Sequence, residues 1–272
     1  IGMDYKPYLL SYSRLAPIQI NTWGHSETSG IDTIDYFISS ELYEQPIDIS
    51  REYYSEKLVL TKSLCTCYPK FDFLNEPFKT REELGFDTKD KIFSCLQASF
   101  KVSSTMEDII ESILEKCENS VILFSIAFAP FCQKQLARMF SKFKAQNIRI
   151  KFFKVLSLYE YLNLINISDI VLDTYPFGGC NSSLEAFYLD KPVVSWPTNK
   201  INGRFTYGFY KKMDINECIA KNKEDYINKC VKLSNDIDFY NLVQEKIKLK
   251  NHLLFLEQKS IDEWNDILNL LK

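Results

Sequence analysis

The chain reads as an α/β protein whose larger part is a doubly wound parallel sheet, and three observations predict it. From Lys91 to Val194, short apolar runs alternate with amphipathic stretches of helical length, which is the pattern of successive βαβ units. The runs themselves, Ile170-Val171-Leu172 and Val193-Val194 among them, lack polar alternation and so suit strands covered on both faces. Between those two runs the chain breaks at Pro176 and Gly178-Gly179. It then offers Asn181, Ser182 and Ser183 as N-cap residues before the helical pattern of residues 184–189. Strand, glycine turn, capped helix and strand make one βαβ unit. The start of its helix presents free N–H groups and a partial positive charge, which suit a phosphate.

Each element follows in order. Residues 4–15 predict a short helix with Pro7 in its first turn. Strands are expected at Pro17–Trp23 and Ile34–Ile38, separated by the polar, glycine-bounded loop Gly24–Gly30, and a third strand at the end of Tyr53–Leu60. The segment 63–90 has charges and prolines without steady periodicity, and is expected to connect two lobes. Beyond it come a strand at Ile92–Leu96, a helix at Thr105–Cys117, a strand at Val121–Ile126 and a helix at Phe131–Gln146. A strand at Ile148–Val155 and a helix at Leu158–Ile167 precede the unit described above, and helices follow near 203–212, 223–234, 237–250 and 260–271. The pattern divides the chain into a first lobe at 1–62, a connector at 63–90, a regular βα lobe at 91–236 and C-terminal helices at 237–272. In such sheets ligands bind beyond the carboxyl ends of the strands, where the strand order reverses.

Composition narrows the function classes. A net charge of −3 does not favour nucleic acid as a partner. Eight glycines are few for 272 residues, so the adjacent pair at 178 and 179 stands out. The eight cysteines form no Cys-x-x-Cys motif and have no histidine at zinc spacing, which predicts reduced thiols in a cytoplasmic setting. No apolar run of membrane-spanning length occurs and no signal peptide is visible, so a membrane partner is not expected. The chain starts at Ile1, which suggests a piece of something longer.

A set of stretches carries a family resemblance: RLAPIQINTWGHSETSGIDTIDYFISS (14–40), YSEKLVL (54–60), FSCLQASFKV (93–102), LDTYPFGGCNSSLEAFYLDKPVVSWP (172–197), GRFTYGFYKKM (203–213) and CIAKNKEDYINKCVKLSND (218–236). In this order they resemble the catalytic region of the O-linked N-acetylglucosamine transferase/SPINDLY family, the bacterial-type members most. The resemblance implies a GT-B fold, with a Rossmann-like C-terminal lobe and the remnant of a first Rossmann-like lobe. It implies a nucleotide-sugar donor such as UDP-N-acetylglucosamine, a protein acceptor and inverting transfer to Ser or Thr. No metal or further cofactor is expected. GDP-fucose or UDP-glucose as donor is a second reading, and a non-catalytic binding fragment a third. A helical-repeat region usually precedes this region in the family and is absent from the chain.

The resemblance also assigns roles. Lys101 matches a lysine on the donor diphosphate, where a cation would stabilise the leaving group. Gln97 lies on the same segment as an amide contact. Cys180, Asn181, Ser182 and Ser183 match the phosphate-binding helix start, with Cys180 standing where relatives have histidine. Glu185 matches an acid that binds the ribose hydroxyls. Leu156 and Tyr161 lie where the base is held, Tyr161 as a stacking ring. Arg204 matches an arginine serving the donor. His25, in the GHSETSG loop, is the only histidine placed to act as a base, although the family's suspected base lies upstream. Asp236-Ile-Asp238 has metal-site spacing but falls between helices and not at a strand end. Cys65-x-Cys67 lacks further ligands and reads as part of the connector.

Overall fold

The computed structural model describes residues 4–71, 76–126, 133–143, 149–154 and 157–271. Two parallel sheets organise the chain. The first has three strands, β1 (Ile20–Thr22), β2 (Tyr36–Ser40) and β3 (Lys57–Thr61), in the order β1-β2-β3. It is preceded by α1 (Tyr5–Leu10), capped by Asp4, and interrupted by the short α2 (Ile47–Ser50). The second sheet uses β4 (Lys91–Cys95), β5 (Ser120–Ser125), β6 (Ile150–Phe153), β7 (Ile170–Leu172) and β8 (Val193–Val194). Its order is β6-β5-β4-β7-β8, with every pair parallel. The chain winds outward from β4 in one direction and then returns to continue from β7 in the other. The switch point therefore lies at the carboxyl ends of β4 and β7.

The helices form where apolar periodicity and caps coincide. α3 (Ser104–Lys116) buries Met106, Ile109, Ile110, Ile113 and Leu114, and the Ser103 hydroxyl caps it by accepting from the Met106 N–H. α4 spans Gln133–Lys142, inside the expected range. α5 (Leu158–Ile167) opens with a reciprocal capping box between Ser157 and Glu160. α6 (Asn181–Tyr188) follows the glycine turn, and α7 (Phe205–Met213), α8 (Lys223–Asn235), α9 (Ile237–Lys250) and α10 (Gln258–Leu270) complete the chain. Asp236, the first acid of the Asp-x-Asp pair, caps α9 by accepting from the Phe239 N–H.

Several boundaries differ from expectation. The strand expected at Ile34–Ile38 begins at Tyr36: a turn at residues 32–33, closed by the Ile34 N–H to the Ile31 carbonyl at 2.9 Å, precedes it, and the Asp35 carboxylate is taken up by the Gln19 N–H and the Arg14 guanidinium. The connector is also more ordered than its composition suggested. Leu64 and Cys65 are buried, and α10 returns to hold this stretch. Glu263 accepts the N–H groups of Lys62 and Ser63, and Trp264 donates to the Cys65 carbonyl.

One contiguous core runs through both sheets. Tyr43, fully buried, packs edge-on against Phe205 and Phe209 of α7, with ring centroids 5.1 and 5.8 Å away. Gly208 permits this approach. A Cβ there would lie 2.3 Å from the Tyr43 ring, so the helical cost of glycine, about 1 kcal/mol, is offset by close packing between the lobes. Among the described residues, no helix is long and apolar enough to cross a membrane.

Candidate functional site

A cleft of about 830 Å³ opens at the switch point. The loop after β1 forms one wall, from Trp23 to Glu27. The opposite wall combines Gln97 and Lys101 after β4, Phe177 and Gly178 after β7, the start of α6, and Asn202 and Phe205.

The wall opposite this loop is built around a buried carboxylate. Asp173, 3% exposed, ends the β7 segment and accepts the Gly179 N–H at 2.6 Å, the Gln97 amide at 3.2 Å and the Ser195 hydroxyl at 2.6 Å. Burial raises its pKa, opposed by hydrogen bonds from Ser195 and Gly179. The acid thus fixes the glycine turn and the amide side chain together. Gly179 must be small, since a Cβ would sit 2.2 Å from the Ser182 hydroxyl and 2.9 Å from the Gln97 amide.

Lys101 reaches the same turn from β4. Its ammonium donates to the Gly178 carbonyl at 2.8 Å and lies 3.8 Å from the centroid of the Phe177 ring. No carboxylate forms an ion pair with it among the described residues. Burial lowers its pKa, while Asp173 pulls the other way. A half-buried cation with no neutralising anion in contact is suited to an anionic ligand. Facing it, α6 starts at Cys180, whose side chain makes no cap. The Ser183 N–H donates to the Cys180 carbonyl at 3.1 Å, so the first-turn N–H groups at the cleft lining are those of Asn181 and Ser182.

The remaining predicted residues divide. Ser183 is fully buried, and its hydroxyl pairs with Thr206 of α7 at 2.7 Å. It therefore holds α6 to α7 and presents no hydroxyl to the cleft. The expectation that 181–183 precede the helix is corrected as well, because all three already belong to its first turn. The Gln97 amide nitrogen is held by Asp173, and its oxygen is buried without a partner among the described residues. Arg204 does not line the cleft. It donates to the backbone carbonyls of Tyr43, Glu44 and Thr198 and packs over the Tyr207 ring. Those contacts occupy its guanidinium and make it a fastener between the lobes. Glu185 lies one turn along α6, and burial raises its pKa. Its carboxylate accepts a hydrogen bond from the Tyr68 hydroxyl at 3.2 Å. Neither Glu185 nor Tyr161 is among the residues that line the cleft, and the Tyr161 ring packs against the core. Leu156 lies outside the described residues.

On the other wall, His25 is half-buried and lines the cleft. Burial lowers its pKa from the ordinary 6.5, so the imidazole is neutral at neutral pH and retains one nitrogen able to accept a proton. Sequence reasoning missed Asp173, Glu27 and Asn202. A carboxylate directly after an apolar strand and before Gly178-Gly179 was a readable signal for Asp173. Glu27 and Asn202 are far apart in sequence, and nothing local marks them as a pair that meets across the cleft at 2.7 Å.

Two parallel sheets facing each other across a cleft at the switch point of the second define the GT-B class of glycosyltransferase fold. A variant of the Thermobaculum terrenum O-GlcNAc transferase aligns with a TM-score of 0.78 at 21% identity, over 94% of this chain and 48% of that one. Sucrose-phosphate synthase from Thermosynechococcus elongatus aligns with a TM-score of 0.59 at 13% identity, over 98% of this chain and 62% of that one. Residues 75–260 match glycosyl transferase family 41, and the chain belongs to that family. A curated relative from Eustoma exaltatum subsp. russellianum, named "Probable UDP-N-acetylglucosamine--peptide N-acetylglucosaminyltransferase SPINDLY", is 24% identical over 82% of this chain and 24% of its own length. The UDP-glucose:protein N-beta-glucosyltransferase of Actinobacillus pleuropneumoniae serotype 5b is 21% identical over 93% of this chain and 39% of its length. This chain thus spans about a quarter of the SPINDLY relatives that it matches.

Proposed function

We propose that this chain forms the donor-binding centre of a protein O-glycosyltransferase, which transfers N-acetylglucosamine from UDP-N-acetylglucosamine to Ser or Thr with inversion and without a metal. The observation that carries this reading is Lys101, a cation with no ion-pair partner among the described residues, set beside the start of α6, which has no side-chain cap, at the sheet's switch point. In the proposed reaction the acceptor hydroxyl attacks the anomeric carbon as the bond to the diphosphate oxygen breaks. The hydroxyl proton passes to a base, for which the neutral imidazole of His25 is the candidate. Charge gathers on the departing diphosphate, where the Lys101 ammonium and the N–H groups of α6 stabilise it. Metal independence fits this charge balance, and the strand-end acid Asp173 is already occupied by Gly179, Gln97 and Ser195. Glu185, which accepts from the Tyr68 hydroxyl, is the candidate for the ribose hydroxyls, with Asn181 and Ser182 near the phosphates.

UDP-glucose is the second donor reading, favoured by the name of the Actinobacillus relative. A thermal-shift panel of UDP, GDP and their sugars separates the donors, because a ligand that binds only the folded state raises the melting temperature. Transfer of radiolabelled sugar to a protein acceptor then tests the chemistry. Stabilisation by UDP together with transfer supports the proposal. The absence of any response to uridine or guanosine diphosphates or their sugars overturns it.

A further inference from the structure

The loop carrying His25 contains little regular secondary structure, yet one buried acid holds it in place. Glu56, 5% exposed, sits just before β3. One of its carboxylate oxygens accepts the Ser29 N–H at 2.7 Å and the Ser29 hydroxyl at 2.5 Å. The other accepts the Thr28 hydroxyl at 2.7 Å and the Ser55 hydroxyl at 3.2 Å. Thr28 also receives the Ser55 N–H at 3.0 Å, so the same residue is fixed from two directions. His25 stands three residues before Thr28 on the same loop, and its own main-chain N–H donates to the Thr22 carbonyl at 2.9 Å, so the loop is pinned on both sides of the imidazole. Across the cleft, Glu27 accepts from Asn202, whose carbonyl receives the Gly178 N–H at 2.9 Å, and the Gly178 carbonyl receives Lys101.

We propose that Glu56 is a positioning residue for the reaction: it fixes Thr28 and Ser29, and through them the orientation of His25 towards the acceptor hydroxyl. The inference rests on the transferase reading above and adds the group that orients the proposed base. It requires a carboxylate, because Ser29 N–H, Ser29 Oγ, Thr28 Oγ1 and Ser55 Oγ converge on two oxygens with no cation beside them. No alcohol or aliphatic side chain can receive them all.

The test compares Glu56→Ala, Glu56→Gln and Thr28→Val with the unaltered full-length protein. Steady-state transfer, UDP affinity and amide exchange across residues 25–31 are measured for each. In Glu56→Ala, kcat falls about tenfold or more while the donor KM and UDP affinity stay within about twofold. Amide exchange rises in 25–31 and stays unchanged at 178–183. Glu56→Gln keeps one acceptor oxygen and recovers part of kcat, and Thr28→Val shows the same pattern as Glu56→Ala in weaker form. Unchanged kcat and unchanged loop exchange in Glu56→Ala overturn the positioning role alone. A parallel loss of UDP affinity overturns it too, by making Glu56 a general structural acid. If Glu56→Ala does not fold, Thr28→Val decides by the same criteria. Absence of transfer by the unaltered protein overturns both this inference and the reading beneath it.

Discussion

The wall proposed for the donor is made of strand ends and a helix start, whereas the wall facing it is a loop held by side chains. On the first, Lys101, the Gly178-Gly179 turn and α6 are placed by backbone pairing in a five-stranded sheet and by the fully enclosed Asp173. On the other side, His25 and Glu27 follow a three-residue strand, and their position depends on Glu56 and on one hydrogen bond to Asn202. On the proposed function, a phosphate site benefits from rigid dipoles that need no reorganisation. The proposed acceptor side must admit a chain, and side-chain anchors on a loop allow local opening without disturbing the sheet.

This contrast can be broken most severely at Lys101. On the proposed function, Lys101→Ala is expected to reduce turnover by about 100-fold or more, since it removes the cation proposed to stabilise the diphosphate, while the melting temperature changes little. Kinetics and calorimetry on the same preparation check both halves. Unfolding in place of inactivation would make the lysine structural.

Next in size is the junction between the walls. Gly208→Ala places a methyl group against the Tyr43 ring and the Leu42 carbonyl, and is expected to cost about 1–3 kcal/mol in urea unfolding. Arg204→Met removes donors from the carbonyls of Tyr43, Glu44 and Thr198 and should cost about 1–3 kcal/mol, with UDP affinity nearly unchanged. A selective loss of UDP affinity in this variant would instead return Arg204 to the donor.

The smallest effect is in pH dependence, and it concerns the loop wall. Although burial alone would raise it, hydrogen bonds from Ser29 and Thr28 hold the Glu56 pKa below its ordinary 4.5. A depressed carboxylate pKa contributes stability that is present above the unfolded value and is lost as pH falls through the folded one. Melting temperature should therefore drop more steeply below pH 4.5 in the natural protein than in Glu56→Gln. Parallel acid limbs in the two proteins would show that Glu56 carries no such linkage.

Much of the donor wall was legible in the residues. The β7 run and α5 form with the expected bounds, because three adjacent apolar residues and a capping box are local signals. Lys101 and the start of α6 are adjacent to such signals, so their placement followed. Ser183, Tyr161 and Arg204 were harder. Each has the right chemistry for a ligand, but side-chain direction depends on what packs nearby: Thr206 for Ser183, the apolar core for Tyr161, and the Tyr43–Glu44 main chain for Arg204.

The sequence by itself determined the βα alternation, the glycine turn and the family, because these rest on periodicity, caps and motifs that need no distant partner. The tertiary structure alone decided which polar groups remain open to the cleft. It joined Glu27 to Asn202 across 175 positions, Tyr68 to Glu185 across 117 and Arg204 to the Tyr43 carbonyl across 161. A buried polar group must find a hydrogen-bond partner wherever the fold brings one, and sequence distance does not limit that choice.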